Sequence, residues 1–334
     1  MTRILVTGAT GFVGTHTLKA LGAWHNVELI AACRDPGRLP PTFHGKARVG
    51  DLRDTGYVET LLDGVDVICH CMAWTSLWGQ RDNSRRLYYE PTIALIEQAR
   101  ARGVRRFVNV STTSAAPSQA ADALAPGIPR SFWPHLNTVI AIEDHLRDHA
   151  AAAMTVVNLR LGIFAGEHYG LGVLPILLPR LTTHLVPWVA RGSTALPIID
   201  GRDIGRAMAL AATAEALGGY ESFNIVGPEV PTTREVIEFI HERYGYPKPH
   251  FSVPFPIAYA FAWLMEKLDP LVPWEPLVTR SIVHLLEDVQ VSNAAARQRL
   301  GYSPRVNWRS AISAQLGEMH TRQRTSMKMY RPIT

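Results

Sequence analysis

Three glycines at positions 8, 11 and 14, set between an apolar strand and an apolar helix, restrict this chain more than any other feature. Ile4, Leu5 and Val6 read as a short buried strand. Thr7-Gly8-Ala9-Thr10-Gly11-Phe12-Val13-Gly14 follows at once, and Val13, Leu18 and Leu21 begin a helical repeat. Gly8 permits a sharp turn, and Gly11 lets backbone N–H groups approach a pyrophosphate. Gly14 lets the helix sit close on the sheet, its unpaired N–H groups and positive end facing the anion. The strand before and the helix after separate this motif from an ordinary turn with three chance glycines. The pattern predicts a dinucleotide cradle built from Thr7, Gly8, Thr10, Gly11, Phe12, Val13 and Gly14.

Other function classes fit poorly. The formal charge of +5 comes from 34 Lys+Arg against 29 Asp+Glu, with no basic run longer than Arg105-Arg106, too diffuse for a nucleic-acid footprint. Cys33, Cys69 and Cys71 are an odd count, and Cys69 and Cys71 read as buried strand thiols rather than a metal site or a disulfide. The strand pattern begins by Ile4, so no signal peptide is expected. Phe255–Leu268, the most apolar stretch, is interrupted by Pro256, Glu266 and Lys267 and is too short to span a bilayer. The expectation is a cytoplasmic protein with reduced thiols, no metal and no nucleic-acid or membrane partner.

Strand-like and helix-like patterns alternate, as in a doubly wound parallel α/β sheet of Rossmann type. Strands are predicted at Val27–Cys33, Val65–Met72, Phe107–Val110 and Met154–Leu161, with helices near Tyr57–Leu62, Leu87–Arg102 and Leu136–His149. This gives a dinucleotide-binding domain over 1–165, to which a return strand (Leu196–Asp200) and helix (Ile204–Ala214) near 196–226 belong. Residues 166–195 and 227–320 form a smaller, mostly C-terminal substrate region. It holds a helix at Thr233–Tyr244, a Pro- and aromatic-rich stretch at Pro247–Pro276 and closing helices to about Met319. Residues 321–334, with Arg324, Lys328 and Arg331, read as a loose tail.

The second strand runs into Arg34. In NAD-specific folds an acid about 20 residues past the glycine turn takes the ribose hydroxyls, and here that place holds arginine. A guanidinium there attracts a 2′-phosphate through paired N–H donors, with Arg38 as a second contact, so NADP is expected ahead of NAD. Asp35 is the counter-signal, one residue away. The plain alternative is that Arg34 is a solvated strand-end charge.

Taken together, the chain resembles the extended short-chain dehydrogenase/reductase family, which includes sugar epimerases, dehydratases and dihydroflavonol-type reductases. The resemblance covers nearly the whole chain. Gly50-Asp51-Leu52-Arg53-Asp54 resembles the family's adenine-contacting turn, with Asp51 and Leu52 at the matching positions. Cys69-His70-Cys71-Met72-Ala73 resembles its fourth strand, which implies that Cys71, Met72 and Ala73 line the cofactor. Val110-Ser111-Thr112-Thr113-Ser114 resembles the run supplying an active-site hydroxyl, which points to Thr113, Ser111 or Ser114. Gly162, Ile163 and Phe164 match the segment beside the nicotinamide, although a proline usually stands where Leu161 is. Family members often dimerise through their fourth and fifth helices, a surface that Tyr88, Tyr89 and Pro91 alter here.

The family's Tyr-x-x-x-Lys is missing. It should precede Ala141-Ile142-Glu143, and counting back puts Val139 at the lysine position and His135 at the tyrosine position. No shift of register helps, because no lysine occurs between Lys46 and Lys248. A literal match, Tyr244-Gly245-Tyr246-Pro247-Lys248, contains a Gly and a Pro that break the helix it would need. The family's helix-four Asn position holds Tyr88. In the family that lysine lowers the tyrosine pKa from about 10 toward neutrality. Losing the pair harms ketone reduction least, since one proton from any source suffices, and epimerase or dehydratase chemistry most. His135, expected to titrate near neutrality, Tyr88 or Tyr89, and the substrate itself or a water are the candidate proton sources.

Four tryptophans, Trp74, Trp78, Trp133 and Trp188, fall near the carboxyl ends of strands, where ligands bind in this fold. Flat aromatic walls suit a large planar ligand, with Tyr88 beside them; the alternative is that they are core or interface residues. Arginine-for-lysine bias with abundant alanine hints at a GC-rich genome rich in secondary metabolism. The expected function is therefore an NADPH-dependent ketoreductase acting on a bulky, aromatic, polyketide-like natural product, similar to actinobacterial ketoreductases of antibiotic pathways. The alternatives are a catalytically silent NADP-binding regulator and a sugar-nucleotide epimerase or dehydratase using His135.

Overall fold

In the computed structural model, which describes residues 1–116, 132–269, 276, 278–286 and 291–329, the apolar amino-terminal run becomes β1 (Thr2–Thr7). The glycine turn and α1 (Phe12–Leu21) follow, then β2 (Val27–Cys33), β3 (Lys46–Val49), α2 (Thr55–Leu61) and β4 (Val67–His70). Next comes one unbroken helical run: α3 (Arg81–Ser84), a π turn at Arg85–Tyr89, and α4 (Glu90–Ala101). The π turn sits before Pro91, which has no N–H to return to the preceding turn and whose ring crowds that carbonyl. Then come β5 (Arg106–Thr112), α5 (Pro134–His145), β6 (Thr155–Leu161) and β7 (Ile163–Ala165).

The second half contributes α6 (Val173–Leu181), β8 (Trp188–Val189), β9 (Ile198–Asp200), α7 (Gly201–Thr213) and β10 (Tyr220–Ile225). It continues through α8 (Thr233–Tyr244), β11 (Ser252–Val253), α9 (Phe255–Leu268), α10 (Arg280–His284), α11 (Ala294–Leu300) and α12 (Trp308–Met329). Capping decides several boundaries. Asp54 and Asp200 accept N–H bonds at the starts of α2 and α7, and Thr232 with Glu235 closes a capping box on α8.

Seven parallel strands form the main sheet in the order β10-β6-β5-β4-β1-β2-β3. The order reverses between β1 and β4, so a crevice opens at the carboxyl end of β1. One sheet face is covered by apolar residues of α1, α7 and α11, such as Leu18, Met208 and Leu300; the other is covered by α2, α4 and α5, through Leu61, Ile96 and Leu136. This is the doubly wound α/β architecture the alternating pattern predicts. Two further strand pairs, β7 with β9 and β8 with β11, lie outside the main sheet, and a separate core gathers α6, α8 and α12 around Leu178, Ile240 and Ile312.

The chain leaves the main sheet at Gly162. Its N–H bonds the Ile225 carbonyl at 3.0 Å, Ile163 N–H bonds the Pro197 carbonyl at 2.7 Å, and a side chain at Gly162 would collide with that carbonyl. Asp203 on α7, wholly buried, accepts the Arg305 and Val306 backbone N–H groups at 2.9 and 2.8 Å and ties the carboxyl-terminal segment to the cofactor side.

Sequence and structure differ at the edges. Neither β3 nor β10 is foreseen as a strand. β3 carries charges outward, and such edge strands lack the apolar alternation that betrays inner ones. The final helix continues to Met329, into the stretch expected as a tail; residues 330–334, with Arg331, lie outside the described residues, as do 270–275 of the Pro- and aromatic-rich stretch. No helix among the described residues is long and apolar enough to cross a membrane.

Candidate active site

The glycine turn is shaped by its neighbours. Gly8 has φ +59°, and a Cβ there would lie 2.7 Å from the Met72 nitrogen and 2.8 Å from the Cys71 carbonyl. Cys71 and Met72 thus press their backbone against the turn, with the exposed Ala73 next in chain, as the family resemblance implies. A Cβ on Gly14 would run into the Gly8 carbonyl, so helix and turn touch through bare backbone. Gly11 caps α1 in extended conformation, its N–H held by the Gly8 carbonyl at 2.9 Å, and no side chain caps the helix. The first N–H groups of α1 therefore stand open at its positive end, beside Thr10 and Val13. This cradle, bare of side chains at Gly8, Gly11 and Gly14, fits a dinucleotide pyrophosphate.

Two layers fix the cradle from below and above. Thr7 Oγ1 lies 2.9 Å from His70 Nδ1, and His70 Nε2 lies 3.1 Å from Thr92 Oγ1 on α4. Complete burial pushes His70 down to about 3, so its neutral ring links β1, β4 and α4 through two hydroxyls. Above the turn, the Phe12 ring lies 4.5 Å from Tyr169 and 5.8 Å from Phe164, and burial raises the Tyr169 phenol to about 12. Ile163 and Phe164, expected at the nicotinamide, are carried here by β7.

At the far end of the crevice, β2 delivers Arg34 to solvent. The Asp35 carboxylate accepts the Gly37 N–H at 3.0 Å and caps a single turn at Pro36–Arg38. Arg34, Asp35 and Arg38 are all exposed. Gly50 N–H bonds the Cys33 carbonyl at 3.0 Å and brings the next turn alongside. There Asp51 accepts Arg53 Nε at 2.9 Å; Arg53 first, with Arg34 adding its charge, holds its carboxyl near 2. Leu52 packs into the core beneath.

The acid–base end is built differently. Ser111 Oγ donates to Glu143 on α5, and Arg160 on β6 pairs with the same carboxylate at 2.5 Å. Glu143 is buried, so Ser111 serves a structural cluster and its proton is committed. Thr112 accepts the Ser114 N–H at 3.3 Å and caps the turn Thr113–Ala115. Thr113 is a buried residue whose hydroxyl makes no hydrogen bond among the described residues, unlike that of Ser111.

His135 opens α5 and stacks on Tyr88 with ring centroids 6.0 Å apart. Burial pushes its pKa down to about 4, against a backbone hydrogen bond with Trp74, and Nδ1 is buried without a partner. The expectation that it titrates near neutrality is thus corrected: desolvation keeps the ring uncharged. Tyr88 is almost wholly buried, and burial together with the Glu143 charge raises its phenol far above the ordinary range. Val139, one turn after His135, is buried.

The tryptophans part company. Trp74 and Trp78 lie in the loop after β4, and Trp133, just before α5, reaches it: Trp133 Nε1 donates to the Ser76 carbonyl at 2.8 Å, and Trp78 Nε1 to Asp269 at 3.1 Å. Ser281 Oγ clasps the same loop at the Leu77 carbonyl. Phe132, Trp133, Tyr259 and His284 continue this aromatic cluster at centroid separations of 6.0–6.1 Å. Trp188 is elsewhere, buried with Leu181 and Ile237 under the Arg234 guanidinium, and belongs to the second region's core. Its strand-end position in sequence does not translate into the crevice because β8 pairs with β11 outside the main sheet.

Sequence reasoning passed over His70, Tyr169 and Tyr259 as site residues. His70 had a signal, a titratable ring inside the apolar strand Ile68-Cys69-His70. Tyr169 and Tyr259 had none, because tertiary packing alone brings them in.

A model described as the NAD dependent epimerase/dehydratase family matches residues 4–226. A 4-hydroxy-2-methyl-3-oxo-4-farnesyl-3,4-dihydroquinoline-1-oxide ketoreductase from Stigmatella aurantiaca is 25% identical, over 93% of this chain and 95% of that one. A 3-diazoavenalumate denitrifying reductase from Streptomyces sp is 28% identical, over 93% and 99%. Among solved structures, the UDP-glucose 4-epimerase of Thermus thermophilus in complex with NAD superposes with a TM-score of 0.67 at 20% identity, covering 96% of this chain and 99% of that one.

Proposed function

The chain belongs to the NAD dependent epimerase/dehydratase family, and on that premise we propose that it is an NADPH-dependent ketoreductase of a bulky, aromatic, polyketide-like ketone. The observation that carries this reading is Val139, buried on α5 where the lysine of the acid–base pair would be. Epimerisation and dehydration need a group that takes a proton and returns it within one cycle. Reduction of a ketone needs a hydride on carbon and one proton on oxygen, and water or a neighbouring phenol of the substrate can give that proton. Positioning of hydride donor and carbonyl then supplies most of the rate. The names of two relatives, a ketoreductase and a reductase, support the same class.

NADPH, when bound, supplies the hydride. The turn from Thr7 to Gly14 and the open end of α1 hold its pyrophosphate, Asp51 and Leu52 its adenine side, and Arg34 with Arg38 its 2′-phosphate. Cys71 to Ala73 and Gly162 to Phe164 line the nicotinamide side. Thr113, with its hydroxyl uncommitted, donates to the carbonyl oxygen. Tyr88 stays protonated and offers a second O–H, whereas the uncharged His135 ring orients rather than protonates. Trp74, Trp78 and Trp133 wall the ketone, and two orphaned polar atoms beside them, His135 Nδ1 and Tyr259 Oη, are its polar handles. The farnesylated dihydroquinoline of the Stigmatella relative's name supports a large apolar substrate.

Incubation of the protein with NADPH and a panel of lipophilic aryl ketones tests this. The expected result is steady NADPH oxidation with one equivalent of alcohol formed, and slower turnover with NADH. Interconversion of UDP-glucose and UDP-galactose without net NADPH consumption overturns the proposal.

A further inference from the structure

Helix α9 is apolar on two sides. Its inner stripe, Phe255, Ala258 and Ala262, is buried, and Glu266 completes it by pairing with Arg280 at 2.6 Å. The outer stripe is Ile257, Phe261, Leu264 and Leu268, spaced i, i+4, i+7, i+11, which is one helix face. Those side chains are 58%, 52%, 47% and 38% exposed, with Trp263 beside them at 46%. A surface helix normally turns polar residues outward here. The stripe continues past the start of the helix: Phe251 is exposed, Trp188 N–H bonds its carbonyl at 2.8 Å, and Leu185 stands out from the turn whose His184 stacks on His250.

Charge decides what covers this face. From Lys248 to Asp269 the carboxylates are Glu266, buried and paired with Arg280, and Asp269, half-buried and accepting Trp78 Nε1 at 3.1 Å, so the exposed full charges are Lys248 and Lys267, the latter 6.0 Å from the Trp263 ring. A second copy laid on this stripe would bring lysine against lysine. An anionic bilayer surface meets the lysines with phosphate and takes the apolar side chains into the headgroup–acyl boundary, with Trp263 at the level that indoles prefer. We propose that α9 and the adjoining Leu185 and Phe251 seat the protein on an anionic lipid surface, the helix lying along the interface. Fourteen residues suit lying, not crossing. On the same helix Tyr259 meets Phe132, so the lipid-facing stripe is one helix away from the aromatic cluster.

Co-sedimentation of the full chain with vesicles of phosphatidylcholine, with and without phosphatidylglycerol, is the test. Binding should require the anionic lipid and weaken with added salt. The double variant Phe261→Asp/Leu264→Asp should lose about tenfold or more in partition coefficient. Lys267→Glu should lose a few-fold, and both variants should keep the melting temperature and NADPH affinity of the parent. Retention of the parent in the supernatant with anionic vesicles overturns the proposal, as does unchanged binding of the double variant. A parent that ignores vesicles but sediments as a dimer, with the double variant a monomer, overturns it in favour of a second copy.

Discussion

The two ends of the crevice are made in opposite ways. At the phosphate end, function resides in backbone: Gly8, Gly11 and Gly14 matter for what they lack, and no side chain caps α1. At the other end side chains dominate: Ser111 is spent on Glu143, Val139 is buried, and His135 stacks on Tyr88. Backbone geometry leaves little freedom to vary, because a single Cβ collides. Side-chain chemistry can be exchanged on an unchanged helix, so cofactor binding can persist while the proton machinery is replaced.

The contrast is broken most directly at Gly8. Gly8→Ala forces a side chain into the Cys71–Met72 backbone at positive φ, and loss of NADPH affinity by about 100-fold or more is expected in calorimetric titration. The left-handed backbone alone costs about 1–2 kcal/mol, which a lowered melting temperature would register. Next in size, Glu143→Ala strands a mostly buried guanidinium and the Ser111 hydroxyl, and urea unfolding should show a loss of about 3–5 kcal/mol. Thr113→Val should lower kcat about 100-fold with NADPH affinity unchanged, since it removes one donor to the developing oxyanion.

Smaller effects sharpen the comparison. Arg34→Ala should weaken NADPH by about tenfold and leave NADH untouched in paired titrations. His135→Ala should change kcat less than about threefold. Because its pKa is near 4, the pH–rate profile of the parent between pH 5.5 and 8 should carry no inflection from this ring. Stability follows the opposite course. A histidine depressed in the fold takes up protons more readily in the unfolded chain, so stability is full above about 6.5 and falls as pH drops toward 4. His70, depressed to about 3, extends the same loss to lower pH. The urea midpoint should therefore drop less steeply with acid in His135→Ala than in the parent.

Much of this was readable from residues. The strand-turn-helix at the amino end, the inner strands β2 and β6 and helix α8 follow from periodicity and punctuation, because buried parallel strands and capped helices impose strong local patterns. The proton end was legible only as a vacancy, a missing lysine, and composition could not say that Ser111 is committed or that His135 is uncharged.

Sequence by itself determined the phosphate cradle, since glycine spacing acts over a few residues and needs no distant partner. Tertiary structure decided the rest: which hydroxyl of Ser111, Thr113 and Ser114 stays uncommitted, which tryptophans share a wall, and that one face of α9 is left apolar and exposed. Burial and pairing are properties of residues far apart in the chain, and they set protonation and accessibility where local pattern is silent.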